Sequence, residues 1–407
     1  MDSRLKFFGN VNIGRPTTSS PSAISVPIES ILAEYTHLVL GTGCTVPILH
    51  PALPPFERCR PALDVVHWYT NHPSKPKAPA IDSARHVSII GQGNVSLDIA
   101  RMLLSRPEDL RGYDIPERVL SHLAKSTVKH VSIIGRRGPY EAAFTAKELR
   151  ELLDLPGVVM DQLSPEILQP KEGIKPTRQQ SRIVSLLQRG SKATPKGPSE
   201  DSRSWSLEFF RSPTGVVPTP NSASSKLELG IAHTTLDPNN KAVPTGATSI
   251  LPTDLIITSL GHRSEPTAHW YDPGLGYIRN VSGRVVDERG DVLRNVYTSG
   301  WASTGAKGVL ATTMMNAYDV AQTLLSDAQN PVPEARSVMG GGAKDASLEA
   351  LPEEVKHGLE SSRVVTHGTW KRIDEEEVRR GTALGGKERE RMDWNEVEQY
   401  LQKTQVA

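Results

Sequence analysis

The sequence predicts an α/β protein built on parallel sheet, and three observations carry that expectation. First, five short, β-branched apolar runs are bounded by glycine: "YTHLVLGTGC" (35–44), "RHVSIIGQG" (85–93), "KHVSIIGRRG" (129–138), "TDLIITSLGHR" (253–263) and "NVYTSGW" (295–301). Continuous apolar runs of this length suit strands buried on both faces. Second, two of them lead into helical periodicity. Residues 94–105 set Val95, Ile99, Met102 and Leu103 on one face, and residues 144–154 do the same with Leu149, Leu152 and Leu153. Third, the order strand, turn, helix, strand is the grammar of parallel pairing through crossover helices.

The remaining segments follow from composition. Pro and Ser cluster at 16–27 and Pro and Lys at 73–79, which predicts loops and a domain boundary near residue 82. The stretch 163–250 is polar and rich in Ser, Pro, Lys and Gly, with one helical pattern at 181–190, and reads as a loop-rich, partly disordered β appendage. Residues 330–365 read as a second loose connector. "DWNEVEQYLQK" (393–403) restores helical periodicity, so the tail is expected to pack back on the body.

Bulk properties exclude several function classes. At 407 residues, 37% hydrophobic and 23% charged, the chain can bury two cores, and its net charge of +1 gives no global pull toward nucleic acid or an anionic membrane. Any charged partner must be met by a local patch. Two cysteines, Cys44 and Cys59, make neither a disulfide framework nor metal-ligand spacing, and read as structural thiols in a reducing compartment. No run of 18 apolar residues is present, which leaves at most peripheral membrane association, and "MDSRLKFFGN" is neither a signal nor a transit peptide.

Chemistry concentrates at two strand ends. "IIGQGNVSLDIARMLL" reads G-x-G-x-x-S: Gly91 allows a tight turn, Gly93 lets backbone approach a pyrophosphate on the helix N-terminus, and Ser96 supplies a small residue for helix packing. Gln92 and Asn94 can hydrogen-bond the pyrophosphate or serve as polar turn residues, and Asp98 suits the positive end of the helix dipole. The next strand ends "IIGRRG". An NAD site carries an acidic residue there for the ribose hydroxyl, whereas Arg136 and Arg137 offer planar donors to a 2′-phosphate dianion. The expected cofactor is therefore NADP(H), and the loop 105–127 explains the long spacing between Gly91 and the arginines. Glu148 can take a ribose hydroxyl, pair with Arg137, or stand as a solvated helix carboxylate.

At these residues the sequence resembles the adrenodoxin reductases, the mitochondrial and bacterial-type ferredoxin-NADP reductases with two dinucleotide-binding domains. The resemblance lies in "IIGQGNVSLDIARMLL", "IIGRRGPYEAAFTAKELRELLDLPGV", "DLIITSLGHRSEP", "VYTSGWASTGAKGVLATTM", "KFFGNVNIG" and "GTWKRIDEEEVRRGTALGGKERERM". It implies two Rossmann-like domains, the FAD domain being discontinuous and missing its first βαβ unit. The expected division is 1–82 and 262–407 for the FAD domain with its C-terminal tail, and 83–261 for the NADP domain. Carried over by position, it implies that Gln92, Gly93, Asn94 and Val95 line the NADP pyrophosphate, Arg136 and Arg137 hold the 2′-phosphate, and Glu148 contacts the cofactor. Trp301 and the backbone of Gly308, Val309 and Leu310 are expected against the flavin, with Val11 on its adenine side. Ser303, Thr304 and Ala306 stand where the family pattern has basic residues and proline.

Such proteins pass hydride from NADPH to FAD and single electrons on to an acidic ferredoxin or adrenodoxin-like iron-sulfur protein. No general acid or base is needed. Arg150, Arg178 and Arg182 are the candidates for docking that partner. The family's N-terminal G-x-G-x-x-G unit and following acidic strand end have no counterpart here, so the expectation is a start displaced downstream, loss of a transit peptide, a mitochondrial address by resemblance, and weak or absent FAD binding by the 407-residue chain. The competing reading is a flavin-less NADPH-binding or interaction protein. A reductase with an iron-sulfur centre in place of flavin fails on two cysteines.

Overall fold

Six strands pair in parallel in the order Cys59–Pro61, Leu255–Thr258, His86–Ile90, His130–Gly135, Arg203–Phe209, Val158–Met160. In this computed structural model residues 2, 4–14, 23–170, 173, 175–193, 202–217, 226–339 and 351–405 are described. The chain forms two units, one of Met1–Ile48, Gly261–Glu376 and Trp394–Ala407, the other of Leu49–Leu260 and Glu377–Asp393. The six-stranded sheet belongs to the second.

The apolar runs form strands because they can be covered on both faces. Val87, Ile89, Val131 and Ile133 point to one face and meet helices Asn94–Leu104, Ala146–Leu153 and Arg178–Arg189 through Leu97, Leu149 and Ile183. Ile90, Ile134 and Ile256 point to the other face and meet Leu229 and Ile231. Those two residues sit in an antiparallel sheet of Arg211–Val217, Leu227–Leu236 and Ala242–Thr253. The identical hexapeptides 86–91 and 130–135 lie side by side, His86 opposite His130 and Ile90 opposite Ile134.

The stretch expected as a loop-rich appendage therefore does more. Arg203–Phe209 is an interior strand with Trp205 fully buried, and the antiparallel sheet covers one face of the parallel one. The strand escapes a reading by apolar run because its Ser204 and Ser206 join a polar patch on the sheet rather than facing water. Segments 194–201 and 218–225 of that stretch lie outside the described residues. In the supposed connector 330–365, Glu353–Glu360 is a helix, while 340–350 lies outside the described residues. The tail forms helices His367–Ala383 and Trp394–Gln405.

In the first unit, Leu38–Leu40 pairs in parallel with Val292–Thr298, which also pairs antiparallel with Arg284–Val286. A 20-residue helix, Leu310–Gln329, is tied to this sheet where Asp327 accepts from Arg284 at 2.6 Å and from the Tyr297 hydroxyl at 3.1 Å.

Candidate functional site

Gly91 ends the second-unit strand His86–Ile90 with φ +126°, and its N–H donates to Ile134 O at 2.8 Å. A Cβ there would stand 2.1 Å from Ser259 O, so the chain turns where the ends of three neighbouring strands crowd together. This is the position where strand order reverses and an open α/β sheet offers its crevice. Gly93 then caps the helix Asn94–Leu104, with no side-chain cap bond and, among the described residues, nothing within 4 Å of where its Cβ would be. Bare N–H groups beside an open glycine make an anion cradle. Ser96 is fully buried in the third position, its hydroxyl without a hydrogen-bond partner among the described residues.

Gln92 and Asn94 face the arginine loop. The Gln92 side chain lies over Gly135, where a Cβ would meet it at 2.1 Å, and the main-chain carbonyl of Gln92 accepts from Ala143 N at 3.2 Å. The Asn94 carboxamide oxygen accepts from Thr145 N at 2.8 Å. Thr145 caps the helix Ala146–Leu153, accepting from Lys147 N and donating to the Glu148 carboxylate, the T-x-x-E arrangement of a helix start. Glu148 thus takes part in its own cap, and among the described residues no bond joins it to Arg137. Asp98 pairs with Arg101 at 3.1 Å, which also binds Glu151.

Arg136 and Arg137 follow Gly135 with exposed side chains, and neither forms an ion pair among the described residues. Their backbone is held firmly: Thr234 Oγ1 donates to Arg136 O at 2.8 Å and Phe210 N to Arg137 O at 3.2 Å. Beyond Gly138, an apolar cleft of about 320 Å3 is walled by Tyr140, Ile167, Phe210 and Leu236. Sequence reasoning missed His50. Burial, then the charge of Arg136, hold its imidazole below the ordinary value of 6.5, and Nδ1 accepts from Ala52 N at 3.2 Å. No motif spacing could reveal it, because only folding brings it within the field of Arg136.

The residues expected against flavin lie in the first unit. Trp301 opens the short helix Trp301–Thr304 after Gly300 (φ +65°), and its carbonyl accepts from Cys44 Sγ at 3.2 Å. Asn316 Oδ1 accepts from Gly300 N at 2.7 Å, clamping that turn to the long helix. Gly308 has φ +86°, and the Val309 N–H donates to Thr312 Oγ1 at 3.0 Å where the helix begins. Trp301, Val309 and Leu310 are 39%, 52% and 86% exposed. Val11 is half-buried, packed against Ile24, Val26 and Val355, so its side chain is engaged in a core.

Arg150 is half-exposed on the helix Ala146–Leu153, while Arg178 and Arg182 are exposed in the first turns of Arg178–Arg189, a helix packed against it. None of the three is ion-paired among the described residues. Cys44 and Cys59 are buried free thiols, with burial pushing Cys59 up to about 11. Among the described residues no cluster suits a metal, and no helix is long and apolar enough to cross a membrane.

The cradle fits a dinucleotide: a crowded turn that only glycine fills, helix N–H groups without a side-chain cap, and two exposed guanidinium groups, unpaired among the described residues, at the adjoining strand end. The Trp301 and Gly308 turns fit a flavin wall, presenting an exposed aromatic, an exposed apolar edge and the opening of a 20-residue helix. Fold and cradle together define an α/β protein of dinucleotide-binding architecture.

The chain is 36% identical over 406 residues to the human mitochondrial NADPH:adrenodoxin oxidoreductase, covering 96% of this chain and 77% of that protein. It belongs to the NADPH:adrenodoxin oxidoreductase family. The bovine mitochondrial protein is likewise 36% identical, over 414 residues. The structure of Mycobacterium tuberculosis FprA in complex with NADPH superposes with a TM-score of 0.79 at 27% identity, covering 97% of this chain and 83% of that one. FprA is an NADPH-ferredoxin reductase. No protein-family profile matches the chain.

Proposed function

We propose that the protein is an NADPH:ferredoxin (adrenodoxin) oxidoreductase of the EC 1.18.1 class, passing electrons from NADPH through FAD to an adrenodoxin or ferredoxin-type iron-sulfur protein. Its membership of a family of NADPH-dependent reductases supports this over a flavin-less binding protein. Bound FAD supplies the conversion of a two-electron hydride donor into single electrons. The chain's residues supply position and charge.

The observation that carries the cofactor assignment is the exposed, unpaired Arg136–Arg137 pair one strand over from the Gly91 turn. In this reading the pyrophosphate rests on the N–H groups of Asn94 and Val95, beside Gly93. The two guanidinium groups take the 2′-phosphate, Gln92 and Asn94 line the pyrophosphate site, and Glu148 contacts the cofactor. The unit containing Leu49–Leu260 is then the NADP domain. The other unit is the FAD domain, with Trp301, Gly308, Val309 and Leu310 along the flavin and Val11 supporting the adenine side. Arg150, Arg178 and Arg182 form the docking face for the acidic partner. The mitochondrial relatives support a mitochondrial type of reductase, and a matrix address is checked by fractionation beside matrix markers.

The test is calorimetric titration of the Arg136→Ala/Arg137→Ala variant with NADP+ and NAD+. Loss of two charge-assisted contacts should weaken NADP+ about 100-fold and leave NAD+ nearly unchanged. Equal losses for both cofactors would show that the pair does not read the 2′-phosphate.

A further inference from the structure

Three unusual features of the second unit converge on the backbone of Arg136 and Arg137, and none of them touches the helix cradle. Phe210, between strands Arg203–Phe209 and Arg211–Val217, holds φ +55°, a left-handed conformation that an aromatic residue adopts at a cost. In that conformation its N–H reaches Arg137 O at 3.2 Å, and its ring lies over Gly138, where a Cβ would meet it at 2.5 Å. The strand Leu227–Leu236 slips register between Ala232 and Thr234. Such irregularities re-aim a side chain. Thr234 is 92% buried by its relative exposure of 8%; its N–H donates to Phe210 O at 2.9 Å and its hydroxyl to Arg136 O at 2.8 Å.

A strained hinge, a strand irregularity and a glycine thus spend their local deviations on one short length of chain whose side chains are exposed and unpaired. The geometry points to Thr234 as a positioning residue for cofactor specificity: through its hydroxyl it fixes the carbonyl of Arg136, and with it the direction in which both guanidinium groups leave the sheet. The antiparallel sheet thereby acts as a brace for discrimination between NADPH and NADH. This rests on the reading of Arg136 and Arg137 as the 2′-phosphate clamp. A hydrogen bond to a carbonyl holds no phosphate itself. It limits the orientations the arginines must give up on binding, so its loss should be felt by the phosphorylated cofactor alone.

The experiment is titration of the full chain with NADP+ and NAD+, comparing the unchanged protein with Thr234→Val, Thr234→Ser and Arg136→Ala/Arg137→Ala, with a thermal melt of each. The inference expects Thr234→Val to narrow the NADP+ over NAD+ preference about tenfold with NAD+ affinity kept, and Thr234→Ser to restore it. Should the Val variant fail to fold, Thr234→Ala is read in its place by the same ratio. If the arginine variant abolishes the preference while Thr234→Val or Thr234→Ala keeps it, the positioning role is wrong and the clamp stands. Equal weakening of both cofactors in the Thr234 variants would also overturn it, showing a general structural role. A preference that survives the arginine variant overturns the clamp itself, and the brace with it.

Discussion

Gly91 shows how narrow the tolerance of the cradle is. Its φ of +126° and the Ser259 carbonyl 2.1 Å from a would-be Cβ act together, one strain conformational and the other steric. Gly91→Ala should therefore destabilise the protein by about 3 kcal/mol, measured as a shift in denaturant midpoint. A midpoint within experimental error of the unchanged protein would mean the turn can relax and the argument is wrong. Gly91 and Arg136 were legible as residues because glycine permissiveness and guanidinium charge are intrinsic. Glu148 and Asn94 were less so. A carboxylate or carboxamide can serve many partners; the fold chose Thr145 for Asn94, while Glu148 meets it through the local T-x-x-E spacing.

At the scale of elements, the repeated hexapeptide places His86 against His130 with ring centroids 4.9 Å apart. Ser132 Oγ lies 2.8 Å from His86 Nε2 and 3.2 Å from His130 Nε2, and Ser206 connects onward to Glu208 at 2.9 Å. Burial first, then His130, push His86 down to about 4, and burial pushes His130 down as well. Asp254 and Glu208 oppose the His86 shift more weakly. The sign follows: as pH falls below 6.5 the unfolded chain takes up a proton that folded His86 refuses until about 4, so stability is lost across that window. Thermal melts from about pH 7 to about pH 4.5 should show a loss on the order of 2 kcal/mol that His86→Gln reduces. An unchanged slope in the variant would remove His86 as its source.

Helices Asn94–Leu104, Ala146–Leu153 and Arg178–Arg189 and strands His86–Ile90, His130–Gly135 and Leu255–Thr258 were legible because period and apolar continuity are local properties. The stretch 105–127, expected as a loop, instead holds the helices Pro107–Leu110 and Glu117–Leu123. Arg203–Phe209 was not legible either, since its alternate serines bond to His130 and Ser132 across the sheet, and no local pattern announces a polar patch held in tertiary structure.

At the scale of the molecule, a net charge of +1 leaves no global attraction for an acidic partner, so any steering must come from a local face. Arg150, Arg178 and Arg182 sit on two packed helices without ion pairs among the described residues. Reversing all three to Glu should raise the KM for a ferredoxin about tenfold at low salt, flatten its salt dependence and leave NADP+ affinity unchanged. Unaltered KM and salt dependence would place the docking face elsewhere. The second unit also depends on its distant tail. Lys387 is buried, donating to Ile115 O at 2.6 Å and pairing with Glu390 at 2.5 Å, while Asp114 binds Arg391.

The sequence by itself determined the α/β class, the glycine turn and the presence of two arginines at a strand end, because these follow from side-chain period, backbone freedom and charge carried by neighbouring residues. Tertiary structure alone decided how those arginines are held. Thr234 and Phe210 reach their carbonyls from far along the chain, and His50 lies in the field of Arg136. Hydrogen bonds and fields act through distance in space, and only the closed sheet brings such residues within reach.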